Sequence, residues 1–279
     1  MDRISLSQIA EMAGARILQG SPEMLVSSVS KDSRTIQHGD LYVALRGENF
    51  DGNAYASDAL ARGAAAVLLD SAETAHSISS QHPVLLVENG LAALTRLAAA
   101  WRSKLKLKVV GITGSSGKTS TKDFTAAVLG SRLKVVKTSG NLNNHIGVPL
   151  TLLRLRAHHR VAVLELGMNH PGEIAQLADM AAPAVALVNN AQREHQEFMQ
   201  TVEAVAKENG AAIRALPKHG VAVFPVSDEY QALWRADAGE RRIIDFDGPQ
   251  AQVQLLQAQW LNTHWQLELQ TPQGKLQTQ

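Results

Sequence analysis

Residues 109–120 read Val109-Val110-Gly111-Ile112-Thr113-Gly114-Ser115-Ser116-Gly117-Lys118-Thr119-Ser120, an apolar run, a glycine-rich turn, then a lysine and two hydroxyls. Residues in that order can cradle a phosphate. Backbone N–H groups of the turn and of a following helix point at the anion, Lys118 adds a positive charge, and Thr119 offers a hard oxygen to a divalent cation. The usual phosphate-loop pattern has a glycine five residues before Gly117; Ile112 stands there, and Gly114 shortens the loop instead. A glycine turn without a ligand is the plain alternative. Gly117-Lys118-Thr119 directly behind an apolar strand favours a bound nucleoside triphosphate, held by Gly114, Ser115, Ser116, Gly117, Lys118, Thr119 and Ser120.

Other segments can add to such a site. Val161-Ala162-Val163-Leu164-Glu165 is an apolar run ending in an acid. In an open parallel sheet, ligands sit at the carboxyl ends of the strands, so Glu165 can hold Mg²⁺ together with Thr119. A solvated carboxylate at a strand end is the bland reading. Two polar loops follow strands at the same edge: 166–173, containing His170, and 188–195, containing His195. A loop histidine is by default simply exposed; His195 stands out because it falls one strand on from Glu165. A third loop, 138–149, packs Asn141, Asn143, Asn144 and His145 into five residues. It reads either as a solvated turn or as a set of donors and acceptors for a polar substrate. Nearer the N-terminus, Asp32-Ser33-Arg34 and the segment 46–53 are each ordinary surface loops when taken alone.

Composition narrows the function classes. A length of 279 residues with 45% apolar residues allows two domains with real cores. The formal net charge of +1, without a long basic run, argues against nucleic acid as a partner. Absence of cysteine removes disulfides, thiolate metal sites and cysteine nucleophiles. Met1 to Ser5 lacks the apolar core of a signal peptide, and no uninterrupted apolar stretch is long enough to span a bilayer. The expected protein is cytoplasmic, with a monomer as the default.

The elements that must carry these groups read as α/β. Leu6, Ile9 and Met12 recur at helical spacing behind a Ser5/Gln8 capping box. Strands fit 40–45, 65–69 and 84–87, with a helix at 55–62 and a long amphipathic helix at 91–105. A domain boundary is placed at residue 88, giving a small mixed α/β domain (1–88) and a phosphate-loop domain (89–279). The second domain alternates strands at 106–112, 134–137, 161–166, 184–188 and 221–224 with helices at 118–129, 172–180 and 202–216. That alternation predicts a mostly parallel sheet with helices on both faces. Beyond residue 240, residues 252–257 and 264–270 alternate as antiparallel additions. After the turn 271–275 the chain stops inside a new strand, so it reads as cut.

Taken together, these residues resemble the Mur ligase family, ATP-dependent amide-forming enzymes that build the peptide of bacterial cell-wall precursors. The resemblance rests on the 113–119 loop with its absent upstream glycine, on Asp32-Ser33-Arg34, and on the blocks 140–147 and 165–174. It implies a first domain that holds a UDP-linked substrate, with Ser33 and Arg34 near the nucleotide, and a second domain that holds Mg-ATP. Lys118 would contact the terminal phosphates, Thr119 and Glu165 would bind one Mg²⁺, and His195 would help to bind a second. The blocks are most like those of the branch that joins D-alanyl-D-alanine to UDP-N-acetylmuramoyl-tripeptide through an acyl phosphate.

Two departures from the family stand out. Relatives often carry a carbamylated, metal-binding lysine fourteen residues after the histidine; that position here is Asn209, with Lys207 and Glu208 beside it. Residues two apart do not share a helix face, so Lys207 is only a candidate for the catalytic role. The chain as read also ends before the family's third domain and before the end of its central domain, so a non-catalytic nucleotide- and UDP-sugar-binding module is the expected alternative. Another phosphate-loop ligase or kinase is the third reading.

Overall fold

The computed structural model describes residues 1–278. By its contacts the chain forms two compact units, Met1–Leu107 with Leu133–Ala162, and Lys108–Arg132 with Val163–Gln279. The first opens on α1 (Leu6–Ala13). The expected capping box is present, with Ser5 Oγ accepting from Gln8 N and Gln8 Oε1 accepting from Ser5 N; Gly14, at φ 64°, ends the helix. Then follow β1 (Arg16–Gln19), β2 (Ser28–Ser30), β3 (Asp40–Val43), α2 (Ala56–Ala61), β4 (Ala66–Leu69), α3 (Ala72–Ser77), β5 (Val84–Leu86) and α4 (Gly90–Ser103).

The sheet order is β1-β5-β4-β3-β2, parallel throughout except for β1 against β5. Strands β3 and β4 are buried along their whole length, so after Asp40 they read as continuous apolar runs rather than alternating ones. Tyr42, Val67, Leu69 and Val84 form a core with Ala56, Ala59 and Leu60 of α2. α4 starts at Asn89, whose side chain accepts from Ala92 N, and buries Leu94, Leu97 and Trp101.

The chain then enters the second unit with β6 (Lys108–Thr113) and α5 (Lys118–Gly130). It returns to the first for β7 (Val135–Lys137) and α6 (Gly147–Leu153), and leaves it again within β8 (Val161–Glu165). α6 tolerates Pro149 because a first-turn N–H has no intrahelical acceptor to lose. It packs on α4, and Trp101 Nε1 donates to Leu155 O at 3.0 Å. So α4 sits in the first unit by its packing on α1 and α6, although a boundary at residue 88 assigns it to the second domain.

The rest of the second unit is α7 (Glu173–Ala181), β9 (Val185–Val188), α8 (Val202–Arg214), β10 (Val221–Pro225), α9 (Gln231–Ala238), β11 (Arg242–Phe246), β12 (Gln254–Leu261), β13 (His264–Thr271) and β14 (Gly274–Thr278). Within the second unit the sheet runs β8-β6-β9-β10-β11, with β6–β9, β9–β10 and β10–β11 all parallel. The alternation read from sequence is thus an α/β parallel sheet. With β6 between β8 and β9, the loops after these three strands come to one edge.

Helix α9 and strand β11 fall in a segment where no element was anticipated. Trp234 fastens α9: it is fully buried, and its Nε1 donates to Ala206 O at 3.0 Å. The antiparallel additions are β12, β13 and β14, a three-stranded meander in which Trp260 faces Trp265 edge-on at 5.5 Å. Among the described residues no helix is long and apolar enough to cross a membrane.

Candidate phosphate-binding site

The apolar residues of β6 bury the strand up to Thr113, and the chain must then turn sharply to start α5. Gly114 (φ 123°) and Gly117 (φ 77°) make that turn in backbone conformations that side chains disfavour. Gly117 is the N-cap of α5 and has no side chain, so the first N–H groups of the helix are not capped from that position. Gly114 also allows a close approach, since a Cβ there would lie 2.9 Å from Asn189 N and 3.0 Å from Asn190 N. Gly114→Ala is therefore expected to cost about 2 kcal/mol, read as a lower melting temperature, and to weaken nucleotide binding through the displaced loop.

The loop after β9 holds the turn from the other side. Asn189 N donates to Thr113 O at 3.0 Å, and Asn189 Nδ2 to Ser116 O at 3.1 Å. Ser116 N donates to Asn190 Oδ1 at 3.0 Å, and Gln192 N to Ser115 Oγ at 2.8 Å. Lys118 folds its ammonium back over the turn, donating to Gly114 O at 2.5 Å and Ser115 O at 3.3 Å. The same nitrogen lies 3.7 Å from Glu194 Oε2.

In the first turn of α5, Thr119 Oγ1 donates to Glu165 Oε2 at 3.0 Å, joining the loop to the end of β8. Glu165 is 3% exposed and Lys122 is 2% exposed, and the lysine ammonium stands 3.7 Å from that same carboxylate oxygen. A hydroxyl and a carboxylate are the hard oxygens that Mg²⁺ takes from protein when phosphate and water complete its shell. Among the described residues no cluster of three or more His, Asp or Glu is arranged to hold a metal ion alone. The donor set fits an ion that arrives with a nucleotide.

The structure therefore brings Lys118, Thr119 and Glu165 together with the turn 114–117. His195 lies in the loop after β9, exposed and at φ 47°, with its carbonyl accepting from Phe198 N and Met199 N of the helical turn Gln196–Met199. Lys207 is not brought to the loop. Its ammonium is on the exposed side of α8, 2.6 Å from Glu203 Oε1, because residues two apart point to opposite helix faces. Asn209 takes the inward face, and Glu208 is spent on α7, accepting from Gly172 N at 2.9 Å and Ile174 N at 2.8 Å.

The remaining sequence candidates belong to the first unit. Asn144 Oδ1 accepts from Ile146 N and Gly147 N and so shapes the entry to α6; Asn141 and His145 are exposed and Asn143 is half-buried. Ser33 is buried, and the guanidinium of Arg34 forms a two-pronged pair with Asp32 at 2.8 and 2.7 Å. That pairing holds the Asp32 carboxyl down at about 2. Both line a cavity of about 430 Å³ with Tyr42, Phe50, Tyr55 and Asp58. Burial pushes the Tyr42 hydroxyl up to about 12, and it donates to Gly52 O at 2.9 Å. At the mouth of the cavity Phe50 and Tyr55 stack at 5.2 Å, half exposed.

Sequence reasoning missed this aromatic pair, and it missed Lys122. The available signal for Lys122 was its spacing three residues after Thr119, which puts both on one helix face.

Comparison with known proteins gives the family. A profile of the Mur ligase middle domain matches residues 112–278, and one described as "Mur ligase family, catalytic domain" matches residues 25–102. The UDP-N-acetylmuramoyl-tripeptide--D-alanyl-D-alanine ligase of Escherichia coli is 39% identical over 246 residues, covering 88% of this chain and 53% of that protein. Its Bacillus subtilis counterpart is 37% identical over 230 residues, covering 82% and 50%. The crystal structure of MurF from Acinetobacter baumannii superposes with a TM-score of 0.91 at 30% identity, over 100% of this chain and 60% of that one. MurF ligase from Thermotoga maritima, solved in complex with ADP, gives 0.79 at 28% identity, over 90% and 57%. The chain spans about half the length of the curated relatives it matches. By its loop, its parallel sheet and these matches, the chain belongs to the Mur ligase family.

Proposed function

We propose that this chain carries the nucleotide-binding and UDP-substrate-binding parts of an ATP-dependent ligase that adds D-alanyl-D-alanine to UDP-N-acetylmuramoyl-tripeptide through an acyl phosphate. The observation that carries the reading is the junction of Lys118, Thr119 and Glu165 at the carboxyl edge of the parallel sheet. Its support from relatives is the activity named for the matched ligases and the ADP complex of one of them.

In this reading the turn 114–117 and Ser120 hold the phosphates and Lys118 neutralises the terminal ones. Thr119 and Glu165 hold Mg²⁺, and His195 contributes to a second ion. A bound Mg²⁺ would supply charge neutralisation on the transferring phosphoryl group. The chain's own task is positioning: phosphoryl transfer demands little further from side chains once the carboxylate and the phosphate are aligned. Ser33 and Arg34 hold the diphosphate of the UDP-linked substrate, with Asp32 presenting the guanidinium. The stacked rings of Phe50 and Tyr55 offer its pyrimidine a flat apolar surface.

Isothermal titration of the chain with UDP-N-acetylmuramoyl-tripeptide, and separately with Mg-ATP, tests both halves. Binding of both is expected. Arg34→Ala is expected to weaken the UDP-linked ligand by about tenfold, through loss of a charge-assisted contact, and to leave Mg-ATP unaffected. No affinity of the parent chain for the UDP-linked tripeptide would return the protein to the wider set of phosphate-loop ligases and kinases.

A further inference from the structure

Asn209 lies inside α8 and is 1% exposed. Its Oδ1 accepts twice, from Thr113 Oγ1 at 2.5 Å and from Gly114 N at 3.1 Å, and so grips the two residues that open the phosphate loop. The orientation of the amide follows from Gly114, whose backbone N–H only donates and must therefore face the oxygen. The other end, Nδ2, is buried and has no hydrogen-bond partner among the described residues. Buried donors are normally paired, and this one lies beside a loop built to receive an anion.

The neighbouring residues have other tasks. Lys207 pairs with Glu203 at the surface and Glu208 caps α7. Gly210 leaves room for Asp237, whose Oδ2 would lie 2.2 Å from a Cβ at that position.

We infer that Asn209 is a positioning residue for the bound nucleotide. Its carbonyl fixes the entrance of the loop from α8, and its unpaired N–H₂ is a donor kept for an acceptor that arrives with the phosphates. The inference rests on the reading of residues 113–120 as a nucleotide site.

Two substitutions separate the parts. Asn209→Asp keeps an acceptor for Thr113 and Gly114 and deletes the buried donor. Asn209→Leu deletes both and leaves no charge. ADP is titrated into the full 279-residue chain with and without Mg²⁺, and the melting temperature of each ligand-free protein is recorded. The Asp variant, which buries a carboxylate, is expected to lower the melting temperature and to lose roughly tenfold or more in ADP affinity under both conditions. The Leu variant is expected to lose affinity and melting temperature together.

ADP affinity within about twofold of the parent in the Asp variant would overturn the inference, because the amide would then serve structure alone. Weakening by Asp with full affinity in Leu would also overturn it, since repulsion of phosphate would suffice. So would tighter binding of Mg-ADP by the Asp variant, which would make the position a cation site. Failure of the parent chain to bind ADP would sink the nucleotide reading itself.

Discussion

Lys118→Ala is expected to weaken Mg-ATP binding by about a hundredfold, with the melting temperature of the ligand-free protein nearly unchanged. The ammonium is a compact charge on a flexible stem, folded onto two carbonyls of its own turn at 2.5 and 3.3 Å. Those carbonyls can turn to water in the variant, and Glu194, 3.7 Å from the ammonium, keeps a further interaction, so stability changes little. The phosphates cannot replace what they lose, because the other donors around them are neutral backbone N–H groups of the turn and of α5. A charge-assisted contact to a multiply charged anion contributes about 3 kcal/mol, hence the hundredfold. Lys118→Arg should not restore binding, since a planar fork does not fit where a point charge curls back over the turn. Titration calorimetry decides it: Lys118→Ala binding Mg-ATP as tightly as the parent would remove this loop from the nucleotide site.

What the sequence made legible follows from which forces act locally. The strand–turn–helix of residues 108–130 could be read directly, because an apolar run, two glycines and Gly-Lys-Thr all point the same way. The same holds for α4, which its apolar stripe announced. By contrast α9 is a short helix with Arg235 and Asp237 on it, and a single tryptophan anchors it through a contact 28 residues away in sequence. No local pattern announces that anchor. β1 escaped notice for the same reason, being an edge strand, largely exposed or half-buried, that pairs with β5 across most of the first unit.

In the site, Glu165 could be expected from its place at a strand end, whereas its partner Lys122 was signalled only by its spacing from Thr119. A lysine in an amphipathic helix reads as solvent-facing, and Lys122 is buried only because β8 brings a carboxylate against that face. The paired asparagines 189 and 190 likewise read as an ordinary polar loop. Their hold on Ser116 depends on β9 lying next to β6, a fact of sheet order rather than of sequence.

Lys122→Met is expected to cost about 3 kcal/mol of stability, and its rescue by a second change identifies the cause. Lys122 and Glu165 are nearly fully enclosed, and removing the lysine takes an opposite charge from beside the enclosed carboxylate, while Asp123, 3.5 Å from the same ammonium, is half exposed and stays solvated. The loss should appear as a fall of about 6 °C in melting temperature. Methionine keeps the length and bulk of the stem, so packing is a small part of the effect. In the double variant Lys122→Met/Glu165→Gln neither charge remains, and stability should return to within about 1 kcal/mol of the parent. Nucleotide binding should not return with it. Glu165 is the carboxylate that Thr119 hydrogen-bonds, and a neutral amide there is a much poorer ligand for Mg²⁺. The double variant should therefore be folded, yet bind ATP no better with Mg²⁺ than without it. Were the double variant as unstable as Lys122→Met alone, the ion pair would not be what Lys122 supplies. Were Mg²⁺ still to strengthen its ATP binding, Glu165 would not be the metal's carboxylate. The contrast separates the two uses of one side chain, since the Glu165 carboxylate that pairs with Lys122 in the folded protein is also the one beside Thr119 that the cation of the nucleotide would use.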